Sequence, residues 1–177
     1  SFVVDGSNLV KRYGDIMGTP SCKMVLTILK KVLDEGGQFT CLFDANIFHV
    51  LKNCDMESQA LLQMTKDYPE YFSVVTGRSR ADYPILHTAD EFNARIISND
   101  TYTKPEDGYV EQYEFLRDPY TPRLIQVNFQ RSGLISIEKL AWRLKSGDNV
   151  SNQFEALRKC LDKIPKEARA NALKNGS

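Results

Sequence analysis

The sequence has little of what several large function classes are built from. No run approaches the ~18 apolar residues of a membrane span, and no signal-peptide pattern is present. The four cysteines, Cys22, Cys41, Cys54 and Cys160, contain no C-x-x-C pair and no zinc-ligand spacing. They are expected to act as small buried hydrophobes in a reducing compartment, and a cytoplasmic setting is the corresponding expectation. Histidine is scarce: His49 and His87 each stand alone, with no Ser or Cys partner, which excludes nucleophilic triads and histidine-based RNA cleavage. A Gly-rich phosphate loop is missing. Neither sign of charge is in excess, with 23 Lys plus Arg against 23 Asp plus Glu. That balance excludes a protein that coats nucleic acid through bulk charge, but not a local basic groove facing an acidic site.

What is present is an ordinary globular composition. At 177 residues, 42% hydrophobic and 26% charged, the chain is expected to form one domain over 1–177 with a real core. It opens almost directly on Phe2-Val3-Val4, a core-strand pattern, and is therefore expected to be a domain excised from a longer protein. Asp5-Gly6-Ser7-Asn8 stops that strand with turn chemistry, and Thr19-Pro20 offers the cap and first residue of a helix that ends at Gly36-Gly37. Further strands are expected at 39–43, 71–75, 95–97 and 124–127, with helices at 55–67, from Asp82 as cap to about Asn93, and around 110–116. In the tail, Ser136 is expected to cap a helix through Leu140, Trp142 and Leu144; an amphipathic helix follows at 152–164, and a short one after Pro165. Strands alternating with helices imply an α/β domain with a central parallel sheet, a core at about 2–145 and a helical extension at about 146–177.

The acids fall in a pattern. Val3-Val4 runs into Asp5, Cys41-Leu42-Phe43 into Asp44, and Ile96-Ile97-Ser98-Asn99 into Asp100, while Asp82 opens the helix after the third strand. In an open parallel sheet the carboxyl ends of the strands face one crevice, where ligands bind. Each aspartate alone reads as turn or cap chemistry. Together they would crowd four negative charges, a cost that a divalent cation removes. Oxygen-only ligands favour Mg²⁺ or Mn²⁺ over zinc. Such an ion can polarise a phosphodiester and activate water.

The same residues resemble a family. Val3-Val4-Asp5-Gly6-Ser7-Asn8, then Ala81-Asp82-Tyr83-Pro84-Ile85-Leu86, then Arg95-Ile96-Ile97-Ser98-Asn99-Asp100-Thr101-Tyr102, resemble in order and spacing the blocks of NYN ribonucleases, particularly the Regnase-like, zinc-finger-associated group. The resemblance spans about residues 2 to 145. It implies a PIN-like three-layer α/β/α sandwich, a single-stranded or loop RNA substrate, and Mg²⁺- or Mn²⁺-dependent phosphodiester hydrolysis. Carried residue by residue, Asp5, Asp82 and Asp100 match the metal-site acids and Asn8 the polar residue that orients them. Ser7, Asn99 and Thr101 would support them from behind. Two positions depart from the family: its paired acid beside Asp82 is here Ala81 or Tyr83, and a further acid after Asp100 is replaced by Lys104. Asp44, or Asp107, would have to compensate.

Around this centre, Lys11, Arg12, Arg78 and Arg80 can clamp RNA phosphates or serve as solvated surface charge. Tyr83 and Tyr102 can stack on bases or pack in the core. From Lys139 onward nine basic residues stand against four acids, an extended RNA groove or a charged helix face. The adjacent acid pair of receiver domains is missing after the first strand. Asp5-Gly6-Ser7 also lacks the second aspartate that haloacid-dehalogenase-type phosphatases carry two residues on. The leading expectation is a metal-dependent endoribonuclease. The alternative is a catalytically weak or inactive RNA-binding or protein-interaction module on the same fold, with a small-ester phosphatase third.

Overall fold

A computed structural model describes residues 1–76, 81–102, 123–144 and 147–170. Five strands, β1 (Phe2–Asp5), β2 (Phe39–Phe43), β3 (Phe72–Val74), β4 (Arg95–Ile97) and β5 (Leu124–Ile125), form one sheet in the order β3-β2-β1-β4-β5. Every neighbouring pair in it is parallel. The expected α/β class and parallel sheet are therefore observed, with β2 and β4 at the bounds read from the sequence. All five carboxyl ends point to one edge.

Side chains of successive strand residues take opposite faces, and here each face meets helices. Val4, Phe39, Cys41, Phe43, Ile97 and Ile125 belong to the larger core cluster, with α1 (Gly6–Met17), α2 (Lys23–Asp34), α4 (Asp55–Asp67) and α6 (Val150–Asp162). Val3, Leu42 and Ile96 turn the other way and pack on Ile85, Leu86 and Ala89 of α5 (Asp82–Glu91). A parallel sheet covered on both faces is the arrangement its continuous apolar strands require. The short α3 (Ile47–Val50) follows β2, and α7 (Lys166–Ala170) closes the described chain. No helix among the described residues is long and apolar enough to cross a membrane.

Four expectations are corrected. Asp5-Gly6-Ser7-Asn8 does not open a loop: Gly6 is the first residue of α1, and the helix after Thr19-Pro20 begins only at Lys23. The Asp5 side chain caps α1 by accepting from the Asn8 amide, and Gly18, at φ 98°, ends it in the left-handed conformation. Gly6 itself is dictated by packing, since a Cβ there would lie 2.4 Å from the Phe43 ring. Asp82 is not the cap of α5 but its first residue, after Ala81.

The fourth correction is larger. Ser136 caps no helix: β6 (Val127–Phe129), β7 (Leu134–Ile137) and β8 (Leu140–Arg143) make a three-stranded antiparallel sheet. Ile135 pairs with Trp142 across it, and Glu138 takes φ 54° in the β7–β8 turn. Residues 140, 142 and 144 are spaced by two, the period of a strand, which outweighed the apparent cap. The inner face (Val127, Phe129, Ile135, Ile137) joins the larger core, where Phe129 stacks on Tyr13 at 5.5 Å. The expected helix at 110–116 lies outside the described residues.

Candidate functional site

Asp5 is the centre of the site because β1 is the central strand and Asp5 its last residue. Its carboxylate is 3% exposed. Oδ2 accepts from the Ser98 hydroxyl at 2.9 Å and from the Tyr102 hydroxyl at 2.6 Å, and Oδ1 from the Asn8 amide at 3.3 Å. Burial pushes the carboxyl up to about 6 from its ordinary 3.8; the hydrogen bonds from Tyr102, Ser98 and Asn8 oppose that rise, and the nearby Asp44 charge adds to it. The Tyr102 phenol is raised well above its usual value by burial and by Asp5, so it stays protonated and donates. Tyr102 reaches Asp5 from a left-handed backbone, φ 52°, an uncommon state for a tyrosine.

The other acids arrive from neighbouring turns. Asp44 follows β2; its backbone N–H donates to the Ser7 hydroxyl at 2.7 Å, its Oδ1 accepts from the Ala81 amide at 2.7 Å, and its Oδ2 pairs with Lys11 at 3.2 Å. Through Ala81 it ties β2 to the start of α5, where Asp82 is buried. Asp82 is close enough to act on the charge of Tyr102. After β4, the Asp100 amide donates to Ser98 at 3.0 Å, and Asp100 Oδ1 accepts from the Tyr102 amide at 2.9 Å. Asp100 Oδ2 engages no partner among the described residues. Asn8 Oδ1 accepts from the Asn99 amide at 2.8 Å, joining α1 to the β4 exit.

The structure thus brings Asp5, Asp44, Asp82, Asp100, Asn8, Ser7 and Asn99 to one edge of the sheet, as their sequence placement predicts. Thr101 sits on the exposed side of its loop. Lys11 is committed to Asp44, whereas Arg12 is exposed and has no ionic partner among the described residues. Arg78, Arg80, Lys104 and Asp107 lie outside the described residues. Of the two tyrosines, Tyr83 is half exposed and stacked on His87 at 5.9 Å. Tyr102 is buried on Asp5, so the base-stacking option for it is withdrawn. Cys22 and Cys41 are buried thiols that burial raises well above their usual range, as expected of structural cysteines.

The donor set at this edge is carboxylate, amide and hydroxyl oxygen, which suits a hard cation and not zinc. Among the described residues no three acidic, histidine or cysteine side chains close into a ligating group. A Mg²⁺-type ion needs only one or two carboxylates beside waters and substrate phosphate, so the oxygen set remains compatible with it.

The sequence reading missed Ser98 and the hydroxyl role of Tyr102. The signal available was local: a serine two residues before Asp100 and a tyrosine two residues after it, both offsets that turn hydrogen bonds use. That these two hydroxyls meet a carboxylate 93 and 97 residues away was not readable from such offsets.

No protein-family model matches the chain, and no curated protein matches it significantly.

Proposed function

We propose that the chain is a metal-dependent endoribonuclease of the PIN-like, NYN type, cleaving single-stranded or loop RNA with Mg²⁺ or Mn²⁺. Asp5, Asp82 and Asp100, with Asp44, are the candidates for the one or two carboxylates that would hold the ion beside water and substrate oxygens. The observation that carries this reading is the buried Asp5, pushed up to about 6, with three more aspartates delivered to the same edge by separate turns. A fold that buries a carboxylate among others gains most from a cation there. When bound, that ion would polarise the phosphodiester and lower the pKa of a water.

The chain's own residues supply orientation. Ser98 and Tyr102 hold Asp5 Oδ2 and keep its rotamer, and Asp5 Oδ1 carries only the long bond from Asn8. Asn8 and Ser7, in the first turn of α1, clamp the exits of β4 and β2, from which Asp100 and Asp44 come. Lys11 offsets the Asp44 charge and is placed to exchange that partner for a substrate phosphate.

Internal cleavage of a labelled single-stranded RNA with Mn²⁺ or Mg²⁺, stopped by EDTA, is the test. Asp5→Asn and Asp100→Asn are each expected to lower the rate by more than about 100-fold. Undiminished metal-dependent cleavage by both variants would overturn the assignment. One observation favours a second reading, an RNA-binding module without turnover: the described acids do not close into a group of three. It is supported if RNA is retained in EDTA and never cut. A cytoplasmic location belongs to the same proposal.

A further inference from the structure

Beside the acid cluster runs a polar groove of about 730 Å³, within the ~300–1,000 Å³ of small-molecule and fragment sites. One wall is a single stripe of α1: Asn8, Lys11, Arg12 and Asp15, spaced 3, 1 and 3 residues apart and so on one helical face. The opposite wall is the outer face of the antiparallel sheet. Buried Val127 and Phe129 of β6 flank exposed Asn128, Ser136 is its cross-strand partner, and exposed Gln126 adds to this wall from the link between β5 and β6. Asn99 closes the end nearest Asp100.

The lining chemistry is specific. Four carboxamides (Asn8, Asn99, Gln126 and Asn128) share the groove, and its charged residues balance, Lys11 and Arg12 against Asp15 and Glu138. The exposed side-chain amides of Gln126 and Asn128 hold no hydrogen bond, and the Asn99 Nδ2 is buried with no acceptor, among the described residues. A groove built only to hold phosphate would be cationic. Carboxamides carry donor and acceptor on one planar group, the pattern presented by the edge of a nucleobase. Asn8 and Asn99 also belong to the hydrogen-bonded frame of the acids, so the groove adjoins the acid cluster.

We infer that the groove between α1 and the antiparallel sheet binds the bases of single-stranded RNA flanking the cleaved phosphate. Gln126 and Asn128 read base edges, and Arg12 contacts the backbone. The inference rests on the nuclease reading for the direction of the strand, but its test does not need turnover.

The test is equilibrium binding of fluorescein-labelled octamers of uridine, adenosine and cytidine, in EDTA, as a function of salt. The doubly substituted Gln126→Ala, Asn128→Ala protein changes only exposed side chains, and circular dichroism checks its fold. It is expected to bind the preferred octamer about tenfold or more weakly, to lose preference among the three, and to keep the wild-type salt slope. Arg12→Ala is expected to weaken all three alike and reduce the salt slope by about one. Unchanged affinity and preference in the double variant, or no RNA binding by the wild type at low salt, overturns the groove assignment. Failure of the nuclease reading looks different: the octamers bind with these signatures and are not cut when Mn²⁺ is added.

Discussion

Asp5 has two roles that oppose each other energetically. Burial between strands places it where a cation would be held, and the same burial penalises its charge. With an ordinary value of 3.8 and a folded value of about 6, the folded state keeps a proton that the unfolded chain releases between those pH values. The contribution of Asp5 to folding stability is therefore largest below about pH 4, falls as pH rises to about 6, and stays reduced above it, by on the order of 3 kcal/mol. In EDTA, Asp5→Asn is expected to melt at higher temperature than the wild type at pH 7.5, the gap closing towards pH 4. Wild-type stability that rises relative to the variant from pH 4 to 6 would contradict this account. Mn²⁺ at pH 7.5 is expected to raise the melting temperature of the wild type and not of the variant. Tyr102→Phe removes a donor that lowers the Asp5 pKa, so the acidic limb of the pH–rate profile should move to higher pH. At this scale the sequence showed which carboxylates belong together. It did not show Ser98 and Tyr102 on Asp5, because those bonds depend on how β4 lies against β1.

Among elements, α1 shows how a motif can be read for its chemistry and misread for its structure. Asp-Gly-Ser-Asn carries turn residues, yet Asp5 is an N-cap, Gly6 a contact with Phe43, and Ser7 and Asn8 the clamps on β2 and β4. Gly6→Ala should overpack the Phe43 ring and destabilise the protein by about 1–3 kcal/mol, read from the urea midpoint. The β6–β8 sheet was hidden for a related reason. Its outward positions Asn128 and Ser136 are polar, and Ser136 before charged residues imitates a helix start. Spacing by two was present at Leu140, Trp142 and Leu144, but five residues of alternation are a weak local signal beside a cap. The helices at 55–67 and after Asp82 were legible because their apolar spacing agrees with their prolines, Pro69 beyond the end of the first and Pro84 in the first turn of the second.

For the whole molecule, α6 belongs to the core rather than to an appendage. Phe154, Leu157 and Leu161 are buried in the larger cluster, and Gln153 donates to Thr27 of α2 at 3.0 Å. Leu157→Ala is expected to cost about 2–5 kcal/mol, as for any fully buried leucine, and a chain ending before residue 147 should not fold cooperatively. Near-wild-type urea unfolding of the Leu157 variant would return the helix to the status of an extension. The two core clusters also explain why the site is where it is. Strands covered on both faces leave only their ends open, and parallel pairing puts all carboxyl ends together.

Hydrophobic period and turn chemistry are local, and from them the sequence alone determined the α/β class, the strands at 39–43 and 95–97, the placement of Asp5, Asp44 and Asp100 at strand exits, and that of Asp82 at the start of a helix. Strand order, the covering of each face, the hydroxyl partners of Asp5 and the groove between α1 and the antiparallel sheet were decided only by tertiary structure. Each of these joins residues tens of positions apart, through burial and hydrogen bonds that no local pattern encodes.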